Sequence, residues 1–380
     1  MKKLWIGGLI AVVLVAGLGW FFLSKQEKKE NNKVIIGASI PLTGNLAFWG
    51  EELKRGMDIY ASSSTVKDSL TLFFEDNQGT PTDAVTSMKK MIEFNKVQAV
   101  VSMLVKLCAP QREIAEMEKI PLISTYNSSS GFTQGYNFVY QDFATHEWQL
   151  PALANFIYNE LNKKSGVTFC SSDDFGKDGQ KFFKLNYEKL GGKLLDTALF
   201  VPGTVDLRNE ISKITQKKPE FIFLVGQEKE LIAATKQIRE RDKDVLIFGI
   251  GSFESPTVWS NIPEEYQSNL YFVNSLFDKN FDEESQIYYN TYLEKYNQEP
   301  SMPSVYGYSI CKYIYQILKS AEVNNTTFND VANTVQINSI RGNLKFNDLH
   351  EIMSGFGLYK RENNKSVLIA THKFLYDESK

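Results

Sequence analysis

Cysteine is scarce: Cys108, Cys170 and Cys311 are the only three in 380 residues, and they stand at long spacings. They form no metal motif and no disulfide framework, and an odd count excludes complete pairing within the chain. Histidine is equally sparse. His146, His350 and His372 lie far apart with no metal spacing, and each reads as a surface or hinge residue. There is no Gly-x-Ser-x-Gly elbow and no phosphate-binding loop. Gly249-Ile-Gly251 follows an apolar run, but Glu254 occupies the third glycine position of a dinucleotide fingerprint. There is no basic run, and a net charge of −3 argues against nucleic acid as a partner. Asp173-Asp174 is an acidic pair, more simply read as a loop that caps the following helix. These absences leave no catalytic residue, metal or cofactor to assign. The expected class is not an enzyme; an α/β hydrolase or transferase is the remote alternative.

What is present begins with Leu4 to Leu23, twenty residues without a charge. That is long enough to cross a bilayer as a helix. Trp5 and Trp20 sit near its ends, where interface aromatics belong. Lys2 and Lys3 precede it, and Lys25, Lys28 and Lys29 follow, so charge does not set the orientation. A cleaved signal peptide is the rival reading, with Gly17-Leu-Gly19 as a weak cleavage site. No Cys lies near the end of the run, which excludes a lipoprotein anchor. Residues 1–33 are read as a membrane anchor or signal segment ending in the polar tether Gln26-Glu-Lys-Lys-Glu-Asn-Asn32. The body that follows is expected outside the cytoplasm, in the periplasm or at the cell surface, held to the membrane by residues 4–23.

A length of 380 residues suggests two domains, and 43% hydrophobic residues suffice for real cores. Val34–Ser39 reads as a buried strand. It leads through Pro41-Leu-Thr-Gly44 to a helix start beside Trp49, an aromatic next to free backbone N–H groups that suit a small polar ligand. Further strands fall at Leu70–Glu75, Gln98–Ser102 and Pro121–Ser124. Gly79 serves a turn, Thr80 a cap and Pro81 a first helical position. Helices fall between, near 84–92 and 110–119. A second alternation starts near Gln149, with strands at Val167–Ser171, Phe221–Val225, Val245–Gly249 and Leu270–Ser275 and helices at Phe175–Leu190 and Glu228–Arg239. Helices near Glu283–Tyr296 and Val305–Lys319 follow. Gly355–Tyr359 and Val367–Phe374 complete the chain as antiparallel strands about Asn363-Asn364. Alternation of this kind is the signature of parallel sheets covered on both faces.

Several segments then carry a resemblance. They are Pro41-Leu-Thr-Gly44 with Ala47, Trp49, Gly50 and Gly56; Glu75-Asp-Asn-Gln-Gly-Thr-Pro81; Ile120-Pro-Leu-Ile-Ser124; Asp173-Asp-Phe-Gly176; Lys189-Leu-Gly-Gly192; Lys218-Pro-Glu-Phe-Ile-Phe-Leu224; and Gly342-Asn-Leu-Lys-Phe346. In order and spacing, from about Val34 to Phe374, the chain resembles the type I periplasmic solute-binding proteins, and within them the leucine/isoleucine/valine-binding branch of ABC importers. The resemblance implies an α/β fold of two Rossmann-like parallel-sheet lobes that close on ligand like a flytrap. Three hinge crossings are expected near Asp142–Thr145, Tyr271–Ser275 and Phe346–His350. Lobe one would hold 34–143 and 275–346, and lobe two 144–274 and 347–376. The implied function is extracytoplasmic capture of a small polar solute, an amino acid or related amide or organic acid, for ABC permease subunits in the membrane. A sensory module serving a separate signalling partner is the alternative.

By that resemblance Trp49 walls the cleft; otherwise it packs inside lobe one. Val105 and Lys106 stand where hydroxyl residues are usual. Lys106 would bring a positive charge to an anionic ligand, or else be a solvated lysine. Tyr126 aligns with a backbone contact and Ser128 with a ligand-binding hydroxyl, with Asn127 beside it; the plainer reading is a Ser-rich turn. Gln227 and Glu228 open a helix at a strand end of lobe two. The acid that grips the ammonium in amino-acid binders falls at Gly251, which has no side chain, so Glu228 or Glu254 would have to substitute.

Overall fold

A computed structural model describes residues 33–352, 355–363 and 365–372, with His372 described by its backbone alone. The apolar run Leu4 to Leu23 and its tether lie outside the described residues. Among the described residues no helix is long and apolar enough to cross a membrane.

Among the described residues, fourteen strands and twelve α-helices are labelled in chain order. The strands are β1 Val34–Ile40, β2 Leu70–Asp76, β3 Ala99–Met103, β4 Leu122–Thr125, β5 Val139–Asp142, β6 Ser165–Ser171, β7 Lys193–Phe200, β8 Phe221–Val225, β9 Leu246–Gly249, β10 Leu270–Ser275, β11 Ile337–Ser339, β12 Gly342–Leu344, β13 Phe356–Glu362 and β14 Lys365–His372. The helices are α1 Ala47–Ser62, α2 Pro81–Lys90, α3 Val105–Cys108, α4 Arg112–Glu118, α5 His146–Asn155, α6 Asp174–Lys189, α7 Arg208–Thr215, α8 Glu228–Arg241, α9 Pro256–Asn261, α10 Glu283–Tyr296, α11 Met302–Asn324 and α12 Phe328–Ala332.

Two large sheets result. The first is parallel throughout, in the order β2-β1-β3-β4-β5. The second runs β14-β13-β10-β9-β8-β6-β7, parallel from β10 to β7 and antiparallel at β13 and β14. Local chemistry explains many boundaries. Thr80 caps α2 by accepting from the Asp83 amide at 3.1 Å, Pro81 is its first residue, and Gly79 takes φ +70° in the preceding turn.

Helices α10 and α11 come after β10 in sequence yet pack in the first half, in one core with β1, β3 and α1. The α1–α11 crossing is very close. A Cβ on Gly56 would lie 1.8 Å from the Ser304 carbonyl, and one on Gly307 would lie 2.0 Å from that of Leu53. Only glycine on each helix admits this approach.

The chain therefore passes between the halves three times: between β5 and α5, between β10 and α10, and before β13. The second passage follows Ser275, because β10 pairs with β13 along Tyr271–Ser275. The third comes later than Phe346–His350. The Gln141 amide bonds the His350 carbonyl, and Ile352 returns a bond to Gln141, each at 2.8 Å. These bonds hold the chain against the edge of the first sheet as far as Ile352. Strands β5, β7, β11 and β12 and helices α3, α7, α9 and α12 were not anticipated from the sequence.

Candidate functional site

A cavity of about 240 Å³ opens between the halves. Its walls come from the chain just beyond the C-terminal ends of the parallel strands: Leu104–Lys106 after β3, Tyr126–Ser128 after β4, Phe143 and His146 after β5, Asp173–Phe175 after β6, Gln227 after β8 and Ile250–Ser252 after β9. Open α/β sheets bind ligands there, where helices begin and loops diverge. Two residues bend the wall into shape through left-handed backbone: Leu104 at φ +65° and Tyr126 at φ +50°. Such torsions are uncommon for non-glycine residues and concentrate at functional sites.

Trp49, Lys106, Tyr126, Asn127, Ser128 and Gln227 all line this cavity. Trp49 also packs in the core and is only 6% exposed. Its ring lies 5.2 Å from that of Tyr126, which in turn lies 4.8 Å from Phe143. Lys106 is exposed on the single turn of α3, and Gln227 is exposed ahead of α8. Asn127 is turned inward: its Nδ2 donates to Ser124 Oγ and its Oδ1 accepts from the Ser129 amide, each at 3.1 Å.

Glu228 and Glu254 do not line the cavity; they stand behind it and tie the halves together. Glu228 Oε1 accepts from Trp49 Nε1 at 3.2 Å and from Ser255 Oγ at 2.5 Å. Glu254 Oε1 accepts from the Met302 amide at 2.8 Å, at the N-terminus of α11. Its Oε2 accepts from Asn274 Nδ2 at 2.7 Å and Tyr126 OH at 3.5 Å. Burial pushes the Glu254 carboxyl up to about 7, against the opposite pull of those donors. At Gly251 no side chain faces the cavity. Asp173 is occupied as a cap, accepting from the Gly176 amide at 3.0 Å and from Ser171 Oγ at 2.7 Å.

His146 requires a correction. It is neither a surface residue nor an idle hinge position: it is fully buried and lines the cavity. Its Nε2 lies 2.9 Å from Ser128 Oγ and its Nδ1 lies 3.1 Å from Asp178 Oδ2. Asp178 also accepts from the Ser130 amide at 3.3 Å. Helix α6 covers the ring, with Phe175 5.5 Å away. In sequence, a histidine between Thr145 and Glu147 carries no sign of burial.

Below the cavity, Arg341 Nη2 bonds both carboxylate oxygens of Asp142 at 2.7 Å, with exposures of 1% and 0%. The Arg341 guanidinium lies over the Tyr306 ring at 3.8 Å. Among the described residues, no group of three or more His, Cys, Asp and Glu is placed to hold a metal ion.

A family model described as periplasmic binding protein matches residues 33–362. A Leu/Ile/Val-binding protein homolog from Brucella melitensis is 18% identical over 234 residues, 60% of this chain. The chain spans 63% of the length of that curated relative. Among solved structures, the leucine-binding protein LivK of Thermotoga maritima superposes with a TM-score of 0.81 at 20% identity, covering 90% of this chain and 99% of the other. LivJ of Streptococcus pneumoniae, in complex with isoleucine, gives 0.80 at 22%, covering 90% and 99%. A solute-binding protein of R. palustris, in complex with benzoate, gives 0.78 at 17%, covering 90% and 96%. At these identities the structural likenesses establish a shared fold.

Proposed function

The chain belongs to the periplasmic binding protein family, and from that premise we propose that it captures a small organic acid between its halves and presents it to an ABC-type permease. The observation that carries the reading is the cavity itself, walled from both sides at strand C-termini. The two lobes of this reading are about 34–143 with 276–352, and 144–275 with the chain from 355 onward. The bonds of Trp49 with Glu228 and of Met302 with Glu254 support mutual closure of the halves. Membrane attachment through residues 4–23 belongs to the same proposal and concerns residues outside those described.

The choice of an organic acid rests on which groups are committed. In amino-acid binding, an acid must face the ligand's ammonium. Here Gly251 offers none, Glu254 accepts protein hydrogen bonds on both oxygens, and Glu228 Oε1 and Asp173 Oδ1 each accept two; the exposed Asp174 is a further acid on the cavity wall. Trp49, Tyr126, Phe143 and Phe175 supply apolar walls for an aromatic or aliphatic body, and Ser128 and Lys106 on the same cavity would meet its carboxylate. Relatives of this fold were solved with isoleucine and with benzoate, which sets the probes.

Thermal unfolding of the purified protein with benzoate, 4-hydroxybenzoate and isoleucine tests the proposal. A ligand at about 100 times its dissociation constant stabilises the native state by about 2.7 kcal/mol. The aromatic acids are expected to raise the midpoint more than isoleucine, with the ligand recovered chemically unchanged. A larger rise with isoleucine would overturn the acid assignment. No rise with any carboxylate would overturn solute capture of this class.

A further inference from the structure

Ser128, His146 and Asp178 form a continuous relay from the cavity wall into the second half. We propose that this relay sets the hydrogen-bonding polarity of the Ser128 hydroxyl, so that a carboxylate ligand binds together with one proton taken up on His146. The inference rests on the organic-acid reading above and deepens it.

The argument is one of counting donors. The Asp178 carboxylate only accepts, and it already receives the Ser130 amide. His146 Nδ1, 3.1 Å away, must therefore carry a hydrogen. In a neutral ring Nε2 is then bare and accepts the Ser128 hydroxyl hydrogen across 2.9 Å. The serine is left presenting lone pairs to the cavity, which repel an anion. When the ring gains a proton on Nε2, the direction of that bond reverses. Nε2–H donates to Ser128 Oγ, and the hydroxyl hydrogen is released toward the cavity, where it can donate to a carboxylate. The bound state then holds imidazolium between two negative groups, Asp178 and the ligand.

The charges around the ring fit this arrangement. Helix α6 contributes Asp178 in contact, with Asp173 and the exposed Asp174 on the cavity wall. The turn after β3 contributes Lys106 on the same cavity, and α5 itself contributes the exposed Glu147. The segment Asn127–Ser130 contributes uncharged groups only. His146 and Asp178 are thus positioning residues, acting on the ligand through Ser128.

The test has two readouts. In protein labelled with 15N-histidine, ligand-free at pH 8.5, the resonances absent from His146→Gln belong to His146. They are expected to show a neutral ring protonated at Nδ1, with that preference lost in Asp178→Asn. A neutral ring protonated at Nε2 would overturn the proposal. Benzoate affinity is then measured from pH 5.5 to pH 8.5. A one-proton linkage weakens binding by up to about tenfold per pH unit wherever the free ring is neutral. The wild type is expected to bind benzoate more weakly as pH rises, and His146→Gln to be nearly flat. A flat wild type, or equal slopes in both, would overturn the proposal. Failure of benzoate to bind at every pH counts against the organic-acid reading, and the tautomer then decides the relay by itself.

Discussion

The two halves share a strand–helix alternation but hold their interiors by different means. The first half is wired by tyrosines. Tyr292 OH and Ser301 Oγ each donate to Glu52 Oε2 at 2.5 Å, with Arg55 and Gln298 on its other oxygen. Tyr288 pairs with Ser304 and Tyr140 with Asn329. The second half is stacked from phenylalanines: Phe183 on Phe223 at 4.2 Å, Phe169 against Phe200 at 4.9 Å, and Phe221 edge-on to Phe248. A hydroxyl network fixes one arrangement, since each buried polar atom left unpaired is costly. A stacked apolar core gains mainly from area and volume and tolerates swaps that keep both. The half that carries Trp49 and Ser128 is therefore the one whose internal geometry is most narrowly specified.

Substitutions can break or sharpen that contrast. The largest effect is expected at Asp142→Ala, which strands the buried Arg341 charge: about 3–5 kcal/mol by urea unfolding. Next is the pH response of Glu254, where the halves meet. Its folded carboxyl lies near 7, above the ordinary 4.5, so the folded state binds the proton more tightly than the unfolded state. The resulting stability is fully present below about pH 4.5 and is lost as pH rises through about 7, by at most about 3 kcal/mol. Glu254→Gln should remove that part of the pH dependence; an unchanged slope would place Glu254 in water. Tyr292→Phe, which removes one oxygen facing Glu52, should cost about 1–2 kcal/mol. Phe248→Leu in the second half should cost about 1 kcal/mol. If Phe248→Leu proves costlier than Tyr292→Phe, the contrast between the halves fails.

Much of this architecture is legible in the chain. Buried strands are continuous apolar runs, and Gly79-Thr80-Pro81 announces a turn, a cap and a helix start in three residues. Strand β5 is hidden because two of its four residues, Gln141 and Asp142, are polar, and their burial depends on residues 350–352 and Arg341. Strand β7 is hidden because it lies at a sheet edge, and its exposed positions Lys193, Thr197 and Leu199 dilute the apolar signal. Trp49 and Ser128 could be singled out because they follow strand ends. His146 could not, because its partner Asp178 is 32 residues away and meets it only once α6 covers α5. Glu254 looked like a candidate ligand group from its position alone; its donors, Asn274 and Met302, come from other elements.

Native mass spectrometry of the protein with a library of small carboxylates tests capture between the halves most directly, with one variant on each wall. One ligand per chain is predicted, with the adduct lost in Ser128→Ala from the first half and in Ser252→Trp from the second. An adduct that survives both substitutions, or none in the unmodified protein, would contradict a solute held in the gap.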